Sequence, residues 1–146
     1  RRLTDVGFDL FIVTNQAGIG RGYYTEEQMH AVNERVAVEF AKFGVAFRKI
    51  YFAPEAPDQP SRNRKPSPQM LHDARDEFGI DLDASYMVGD KVSDVECGWN
   101  AGVKLSVLVR TGYGSEHESK LSQAAGPLTV IDSIGDIASL AIGQAE

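Results

Sequence analysis

Three short stretches of this sequence carry the residue types that bind phosphate and a divalent cation. Thr14 and Asn15 end an apolar, β-branched run, and the pair Arg64 and Lys65 directly precedes a helix start. The third stretch, MVGDKVSD at 87–94, follows another apolar run and holds two carboxylates and an ammonium. Phosphate oxygens require N–H donors and positive charge, and magnesium prefers hard oxygen ligands. Together the stretches indicate a site that holds a phosphate beside a divalent cation.

The elements that must position these residues alternate along the chain. Apolar runs predict strands at 8–14, 46–53, 85–90 and 103–110 and a short strand within LTVIDSIGDIASLAI. Helices are predicted from Thr25, from Ser67, over 93–101 and at the end of the chain. Such alternation predicts an α/β fold with a parallel sheet covered on both faces. Ligands of such sheets bind beyond the carboxyl ends of the strands, where all three polar stretches fall.

The predicted helix after Thr25 has the clearest local signals. TEEQ is a capping box with Gln28 at its fourth place. Apolar residues recur at helical spacing and predict one apolar stripe along the helix: Met29, Val32, Val36, Phe40 and Phe43. Gly44 is the expected cap at the end of this helix.

Length, charge and cysteine content exclude several function classes. The 146 residues suit one domain, 1–146, and the net charge of −6 argues against nucleic acid or anionic membrane as a partner. The only cysteine, Cys97, excludes an internal disulfide and a cysteine zinc cluster and fits the reducing cytoplasm. The three histidines, at 30, 72 and 117, are isolated in the sequence, so we do not expect a histidine metal site.

Each polar signal also has a purely structural explanation. Thr14 could be only the β-branched end of a strand, and Lys65 a solvated surface lysine. Asp90 and Asp94 could cap the helix at 93–101, because acids favour a helix N-terminus. The glycines of AGIGRG do not have the spacing of a dinucleotide-binding loop, and the sequence contains no P-loop.

Taken in order, TNQAGIGRG, RKPSPQML and GDKVSD, followed by VLVRTGYG, resemble the haloacid dehalogenase (HAD) superfamily of phosphatases. Within it, the chain resembles the D-glycero-D-manno-heptose-1,7-bisphosphate phosphatase group, with the histidinol-phosphate phosphatases close by. The resemblance runs from residue 1 to about Gly114. It implies a Rossmann-like, three-layer α/β/α fold without a large cap domain, a magnesium cofactor and a small phosphorylated sugar as substrate.

The resemblance also implies roles for the residues of the first two stretches. Thr14 would hydrogen-bond the transferring phosphoryl group, and Asn15 and Gln16 would cradle the substrate. Lys65 would neutralise the phosphoryl oxygens and steady the nucleophile, and Arg64 would help to recognise the substrate. Fixed donors and cations are the main requirement of phosphoryl transfer.

In the third stretch the resemblance implies different roles for the two acids. Asp90 would be a magnesium ligand and Lys91 would contact the substrate. Asp94 would hold Lys65 or the waters of the metal.

The chain departs from the family in the loop before RKP. Many members carry a Cys-x-His and a Cys-x-Cys pair there, which bind zinc. The matching residues here are Ala53, Glu55, Ser61 and Asn63, none of which is a thiolate or an imidazole. We therefore expect no zinc, and we expect the loop APEAPDQPSRN to hold its shape by proline stiffness and packing.

The family nucleophile has no counterpart in these residues. It is the first Asp of a D-x-D segment that ends the first strand, whereas DLD at 81–83 precedes a strand. RRLTDVG resembles the last turns of an amphipathic helix. We therefore expect a carboxyl-terminal portion of a larger phosphatase, inactive alone, whose nucleophile and central first strand lie upstream. That strand would lie between those at 8–14 and 85–89, and with it we expect a monomer.

Three function classes follow. The first is a magnesium-dependent phosphatase acting on heptose bisphosphate or, as an alternative, on histidinol phosphate. The second is a non-catalytic relative that binds phosphorylated ligands or a partner protein. The third is a receiver-like or nucleotide-binding domain, which is disfavoured because its acidic pocket would need acids on the first strand too.

Overall fold

Parallel strands and their crossover helices make up the computed structural model, which describes residues 1–121 and 125–143. In chain order the elements are α1 (Arg2–Asp5), β1 (Leu10–Asn15), α2 (Ala17–Gly20), α3 (Glu26–Ala41), β2 (Phe47–Ala53), α4 (Gln69–Phe78), β3 (Tyr86–Gly89), α5 (Val92–Ala101), β4 (Leu105–Val109), α6 (Gly114–Glu118), β5 (Leu128–Ile131) and α7 (Ile137–Gly143). Short 3₁₀ turns cover Leu82–Ala84, Ser119–Leu121 and Ile134–Asp136. No helix in the described ranges is both long enough and apolar enough to cross a membrane.

The described strands form two sheets, and all their pairings are parallel. β1 and β2 pair within a compact unit that covers residues 1–64, and Asn15 lies opposite Ala53 at the carboxyl ends of both strands. β3, β4 and β5 pair in that order in a second unit that begins at Lys65. The predicted α/β class and parallel pairing are confirmed. The single domain and the central upstream strand stay predictions.

The start of α3 follows its sequence signal. The Thr25 hydroxyl accepts a hydrogen bond from the Gln28 backbone N–H at 3.3 Å, and the Gln28 side chain accepts one from the Thr25 N–H at 2.9 Å. These bonds satisfy two of the N–H groups that a helix start leaves open. The predicted capping box is confirmed.

The apolar stripe of α3 differs from the prediction of a single core-facing side. Met29 is buried, but Val32 and Phe43 expose 63% and 72% of their surface. Phe40 is also exposed, although its ring lies 5.2 Å from that of Phe47 on β2. The stripe that was predicted to face the core is therefore exposed at three of its five positions.

In the second unit, α4 begins at Gln69, two residues after the predicted Ser67, whereas α5 begins one residue before the predicted 93 and ends at 101 as predicted. Pro68 precedes α4, and Gly79 ends it in the left-handed conformation at φ +66°. Gly102 ends α5 in the same way at φ +74°. Both helices bury their apolar residues, namely Met70, Leu71 and Ala74 on α4 and Val95 and Cys97 on α5. The start of α5 therefore has a fixed place directly after β3.

Candidate functional site

A buried ion pair joins Lys65 to α5. The Lys65 Nζ lies 2.8 Å from Asp94 Oδ1, and the two side chains expose only 11% and 8% of their surface. The second carboxylate oxygen, Asp94 Oδ2, accepts hydrogen bonds from the backbone N–H groups of Asp90 (3.2 Å) and Lys91 (3.1 Å). A buried carboxylate needs such compensation for the solvation it loses. Both oxygens of Asp94 therefore bond to protein donors.

Asp94 thus combines two of the predicted explanations. As the third residue of α5 it accepts from the N–H of Lys91 and so caps the helix, and it also fixes an ammonium. Gly89 makes this geometry possible, because a Cβ atom on that residue would overlap the Asp94 carboxylate. The turn between β3 and α5 therefore requires a glycine at 89.

Asp90 is held differently and keeps an oxygen available. Its Oδ2 accepts a hydrogen bond from the Tyr113 backbone N–H at 3.0 Å, while its Oδ1 has no partner among the described residues. Gly112, at φ +65°, lies against this carboxylate, and any side chain there would meet it. Asp90 does not cap α5, so the capping explanation fails for this residue.

The described residues could supply only part of the coordination shell of a magnesium ion. Asp90 Oδ1 is a half-buried, hard oxygen ligand of the kind that magnesium prefers. Residues 1–121 and 125–143 contain no group of three or more His, Cys, Asp or Glu side chains arranged to hold a metal. Magnesium usually keeps several waters and binds one or two carboxylates together with a phosphate. Asp90 could supply one such carboxylate.

Two further residues of α5 fix the segment that carries Lys65. The Asn100 amide donates to the Pro66 carbonyl at 2.9 Å, and the Cys97 thiol donates to the Ser67 carbonyl at 3.2 Å. Cys97 is fully buried, and this burial raises the pKa of its thiol to about 11. One face of α5 thus holds Lys65 through its charge and the following two residues through their carbonyls.

The segment after β4 contains contacts that sequence reasoning missed. The Lys91 ammonium lies 4.4 Å from the centre of the Tyr113 ring, a cation–π contact. His117 Nδ1 accepts a hydrogen bond from the Val92 N–H at 3.1 Å and so satisfies a donor at the start of α5. The isolation of His117 in sequence gave no sign of this bond, because its partner is 25 residues away. The motif TGYG was the only available signal for Tyr113.

Thr14 and Gln16 form a second group of polar side chains at the end of β1. The Gln16 amide donates to the Thr14 hydroxyl oxygen at 3.2 Å and accepts from the Tyr24 hydroxyl at 2.6 Å. The Gln16 backbone N–H donates to the Ala53 carbonyl at 2.8 Å. The Thr14 oxygen therefore receives one hydrogen bond and can donate its own hydrogen. Asn15 lies half-buried at the last position of β1.

The loop before Arg64 is closed by hydrogen bonds. The Ser61 hydroxyl donates to Glu55 Oε2 at 2.7 Å and accepts from the Arg64 backbone N–H at 3.1 Å. The Arg64 guanidinium donates to the Glu55 backbone carbonyl at 3.3 Å. Inside this closure, the Gln59 side chain accepts from the Ala56 N–H at 2.7 Å. Prolines and packing alone were expected to shape this loop, and the hydrogen bonds add a device that the prediction lacked.

The residues at the four positions of the family zinc site do not fit zinc. Ala53 is fully buried at the end of β2 and has no ligating side chain. Glu55 and Ser61 are hydrogen-bonded to each other, and Asn63 offers only a neutral amide. One carboxylate with a hydroxyl and an amide is not a donor set of the thiolate and imidazole type.

Comparison with known proteins places these groups in a family. The family model described as HAD-hydrolase-like matches residues 62–137, which contain Lys65, Asp90, Lys91 and Asp94. The chain belongs to the HAD-hydrolase-like family. A relative named D-glycero-beta-D-manno-heptose-1,7-bisphosphate 7-phosphatase, from Yersinia pestis, is 44% identical over 119 residues, which are 77% of this chain and 63% of that protein. A relative of the same name from Photorhabdus laumondii is 39% identical over 142 residues, 92% of this chain and 73% of that protein.

Solved structures agree with this membership. A crystal structure of D,D-heptose 1,7-bisphosphate phosphatase from B. bronchiseptica, complexed with magnesium and phosphate, matches with a TM-score of 0.90 at 26% identity. The match covers 98% of this chain and 79% of that chain. The predicted resemblance and the HAD-like, Rossmann-type fold are confirmed. Since the chain spans only about two thirds of the length of the curated relatives it matches, the activity of the whole protein is a matter for proposal.

Proposed function

We propose that this HAD-family chain forms part of a magnesium-dependent phosphatase that hydrolyses a phosphomonoester of a small sugar phosphate, D-glycero-D-manno-heptose 1,7-bisphosphate. The observation that carries the proposal is the buried Lys65–Asp94 pair, whose carboxylate also accepts from the N–H of Asp90. This arrangement fixes an ammonium and presents a second carboxylate with an available oxygen. The names of the relatives and the magnesium and phosphate bound to the structural neighbour support the substrate and the cation.

Residues at the end of β1 act on the phosphoryl group in this proposal. Thr14 donates its hydroxyl hydrogen to a phosphoryl oxygen, since its lone pair already accepts from Gln16. The Gln16 amide bonds to Thr14 and Tyr24 and so positions Thr14. Its second amide hydrogen is directed to the substrate, which Gln16 cradles together with Asn15 and the following loop. Asn15 contacts the substrate from the last position of β1.

The cations and Asp90 balance the charge of the reacting phosphate. Lys65 neutralises phosphoryl oxygens and steadies the nucleophile, while Asp94 keeps its ammonium in place. Arg64 and Lys91 recognise the rest of the substrate. Magnesium, when bound to Asp90, supplies further positive charge beside the phosphoryl oxygens.

The proposed reaction takes its nucleophile from outside residues 1–146. A carboxylate of a D-x-D segment attacks phosphorus, and the P–O bond to the sugar breaks while the second Asp of that segment protonates the leaving oxygen. A water then gives its proton to that second Asp and attacks the aspartyl-phosphate, which releases phosphate and the free carboxylate. A covalent route of this kind divides one difficult step into two. We also propose that the enzyme works in the cytoplasm without nucleic acid or membrane as a partner, which the net charge of −6 and the single cysteine support. We propose a monomer, as the family resemblance implies.

Phosphate release by the full-length protein tests this function. The substrates are D-glycero-D-manno-heptose 1,7-bisphosphate and histidinol phosphate, each with and without magnesium. We expect magnesium-dependent release from the heptose bisphosphate and a much lower rate with histidinol phosphate. No release from either substrate would overturn the enzymatic function, and a preference for histidinol phosphate would overturn the proposed substrate.

A further inference from the structure

The loop at 54–64 stands where many family members bind zinc, and its residues cannot form such a site. The structure has a different device at this place, built on Ser61. Its hydroxyl is a donor to Glu55 Oε2 and an acceptor from the Arg64 N–H, at 2.7 and 3.1 Å. The Arg64 guanidinium returns to the Glu55 carbonyl at 3.3 Å. We name these three hydrogen bonds the Ser61 clasp.

We propose that the Ser61 clasp replaces a metal as the closure of this loop and that it positions Arg64 for substrate recognition. The clasp joins the first part of the loop, at Glu55, to its last part, at Ser61 and Arg64. A hydroxyl bonded to a carboxylate is among the stronger hydrogen bonds in proteins, because the acceptor is charged. Ser61 and Glu55 are positioning residues, and Arg64 is the residue that they position.

Further hydrogen bonds hold the interior of the loop, so the clasp does not act on a flexible chain. The Ala56 N–H donates to Gln59 Oε1 at 2.7 Å, and the Gln59 N–H donates to the Ala56 carbonyl at 3.0 Å. At its base, the Pro54 carbonyl accepts from the Gly20 N–H at 2.8 Å, which ties the loop to the loop after β1. The clasp spans more of the loop than the closure between Ala56 and Gln59. It is the only one of these closures that includes Arg64.

The Ser61 clasp holds Arg64 without neutralising its positive charge. Its guanidinium donates to a neutral carbonyl, and the described residues give it no carboxylate partner. A positive charge that is fixed in place but not neutralised can attract an anionic substrate. This part of the inference rests on the proposed function, whereas the closure of the loop without metal does not.

Limited proteolysis with trypsin tests the closure independently of activity. Trypsin cleaves after Arg62 and Arg64, and mass spectrometry of the full-length protein follows these two sites. We expect a zinc-selective chelator, added with magnesium present, to leave the cleavage rate of the unmodified protein unchanged. Ser61→Ala should raise the rate about tenfold, because the loop opens more often without the clasp. Ser61→Thr keeps a hydroxyl and should stay within about twofold of the unmodified protein.

Ser85→Ala is the matched control, because the Ser85 hydroxyl also donates a hydrogen bond, to the Asp81 carbonyl in an exposed turn. It should leave cleavage after Arg62 and Arg64 unchanged. If Ser61→Ala does not fold, Glu55→Gln, which keeps an acceptor but loses the charge, should raise cleavage by a smaller factor. Faster cleavage with the chelator, or an unchanged rate in both loop variants, would overturn the metal-free clasp.

Kinetics of the full-length enzyme test the positioning of Arg64. Ser61→Ala should raise KM for the heptose bisphosphate about fivefold or more, with kcat within about twofold, because binding is lost without a change at the reacting atoms. Ser61→Thr should restore KM. An equal loss in kcat, or no change in KM, would contradict the positioning role. An unmodified enzyme without activity would overturn the proposed function and leave the proteolysis result intact.

Discussion

Arg64 and Lys65 are neighbours in sequence, yet the structure holds their charges in opposite ways. Lys65 pairs with a buried carboxylate on a helix, and two further contacts of that helix fix the residues after it. Arg64 ends a loop and bonds to a hydroxyl and a carbonyl, both neutral. The charge of Lys65 is therefore balanced within the protein, while that of Arg64 is left for a partner.

Because the two charges are held differently, substitutions in the two regions should have different effects. A buried charge that loses its partner is costly, because neither water nor another group compensates it. A partly exposed guanidinium on a loop can turn to water when it loses a bond. Stability should therefore depend on the contacts of Lys65, and substrate recognition on those of Arg64.

Removal of the Asp94 carboxylate should have the largest effect on stability. Asp94→Ala removes the buried carboxylate that pairs with the Lys65 ammonium and the acceptor of two backbone N–H groups. We expect the free energy of unfolding to fall by about 3–5 kcal/mol, measured by urea denaturation. Asp76→Ala, which breaks an exposed pair with Arg75, is the control and should show no measurable change. Equal effects of the two substitutions would remove the contrast between buried and exposed charges.

Gly89→Ala should be the next most damaging change on the Lys65 side. Its Cβ atom would overlap the Asp94 carboxylate, so the helix start or the ion pair must shift. Overpacking of this kind costs about 1–3 kcal/mol. Gly143→Ala is a matched control, because nothing lies within 4 Å of a Cβ there. A Gly89→Ala protein as stable as the control would show that the turn adapts more readily than its geometry indicates.

Arg64→Ala should have a smaller effect on stability. It removes the guanidinium but keeps the backbone N–H that donates to Ser61. The loss is one hydrogen bond to a neutral carbonyl, about 0.5–1.5 kcal/mol. Chemical denaturation measures this loss, and KM for the heptose bisphosphate should rise in the same variant. A loss as large as that of Asp94→Ala would mean that Arg64, like Lys65, is held by a contact on which the stability of the fold depends.

The reactivity of the Cys97 thiol tests the Lys65 region in the unmodified protein, and it should show the smallest effect. Burial raises the pKa of its thiol to about 11 from the ordinary value of 9.0. At pH 8 the native thiol should therefore react with a disulfide reagent about a hundredfold more slowly than in the urea-unfolded chain. The unfolded chain loses this proton at lower pH than the native protein, so stability should fall as pH rises from 9.0 towards 11. Equal native and unfolded reaction rates would show that α5 opens readily.

Local signals in the sequence were sufficient for the strands and the longer helices, but they did not predict the short helices α2 and α6. The Thr25 capping box acts within a few residues and appears as predicted. Pro68 and Gly79 bound α4 through equally local effects. The exposed apolar residues of α3 were not predictable in this way, because helical spacing shows which residues share a face but not whether another element covers that face.

The sequence indicated the residues of the candidate site, but it indicated few of the contacts between them. The order of the motifs indicated Lys65 and Asp94. The bond from Val92 to His117 and that from Tyr113 to Asp90 join residues more than 20 positions apart and follow only from the fold. The Ser61 clasp was missed because a serine and a glutamate in a proline-rich loop have no distinctive pattern.

The most direct test of the account is the magnesium dependence of phosphate release with Asp90→Asn in the full-length protein. Asp90 is the described carboxylate with an available oxygen beside the Lys65–Asp94 pair. We predict that the unmodified enzyme releases phosphate from the heptose bisphosphate only with magnesium, and that Asp90→Asn requires at least about tenfold more magnesium for half-maximal rate. The same magnesium requirement in both proteins would contradict Asp90 as a metal ligand and, with it, the proposed arrangement of the site.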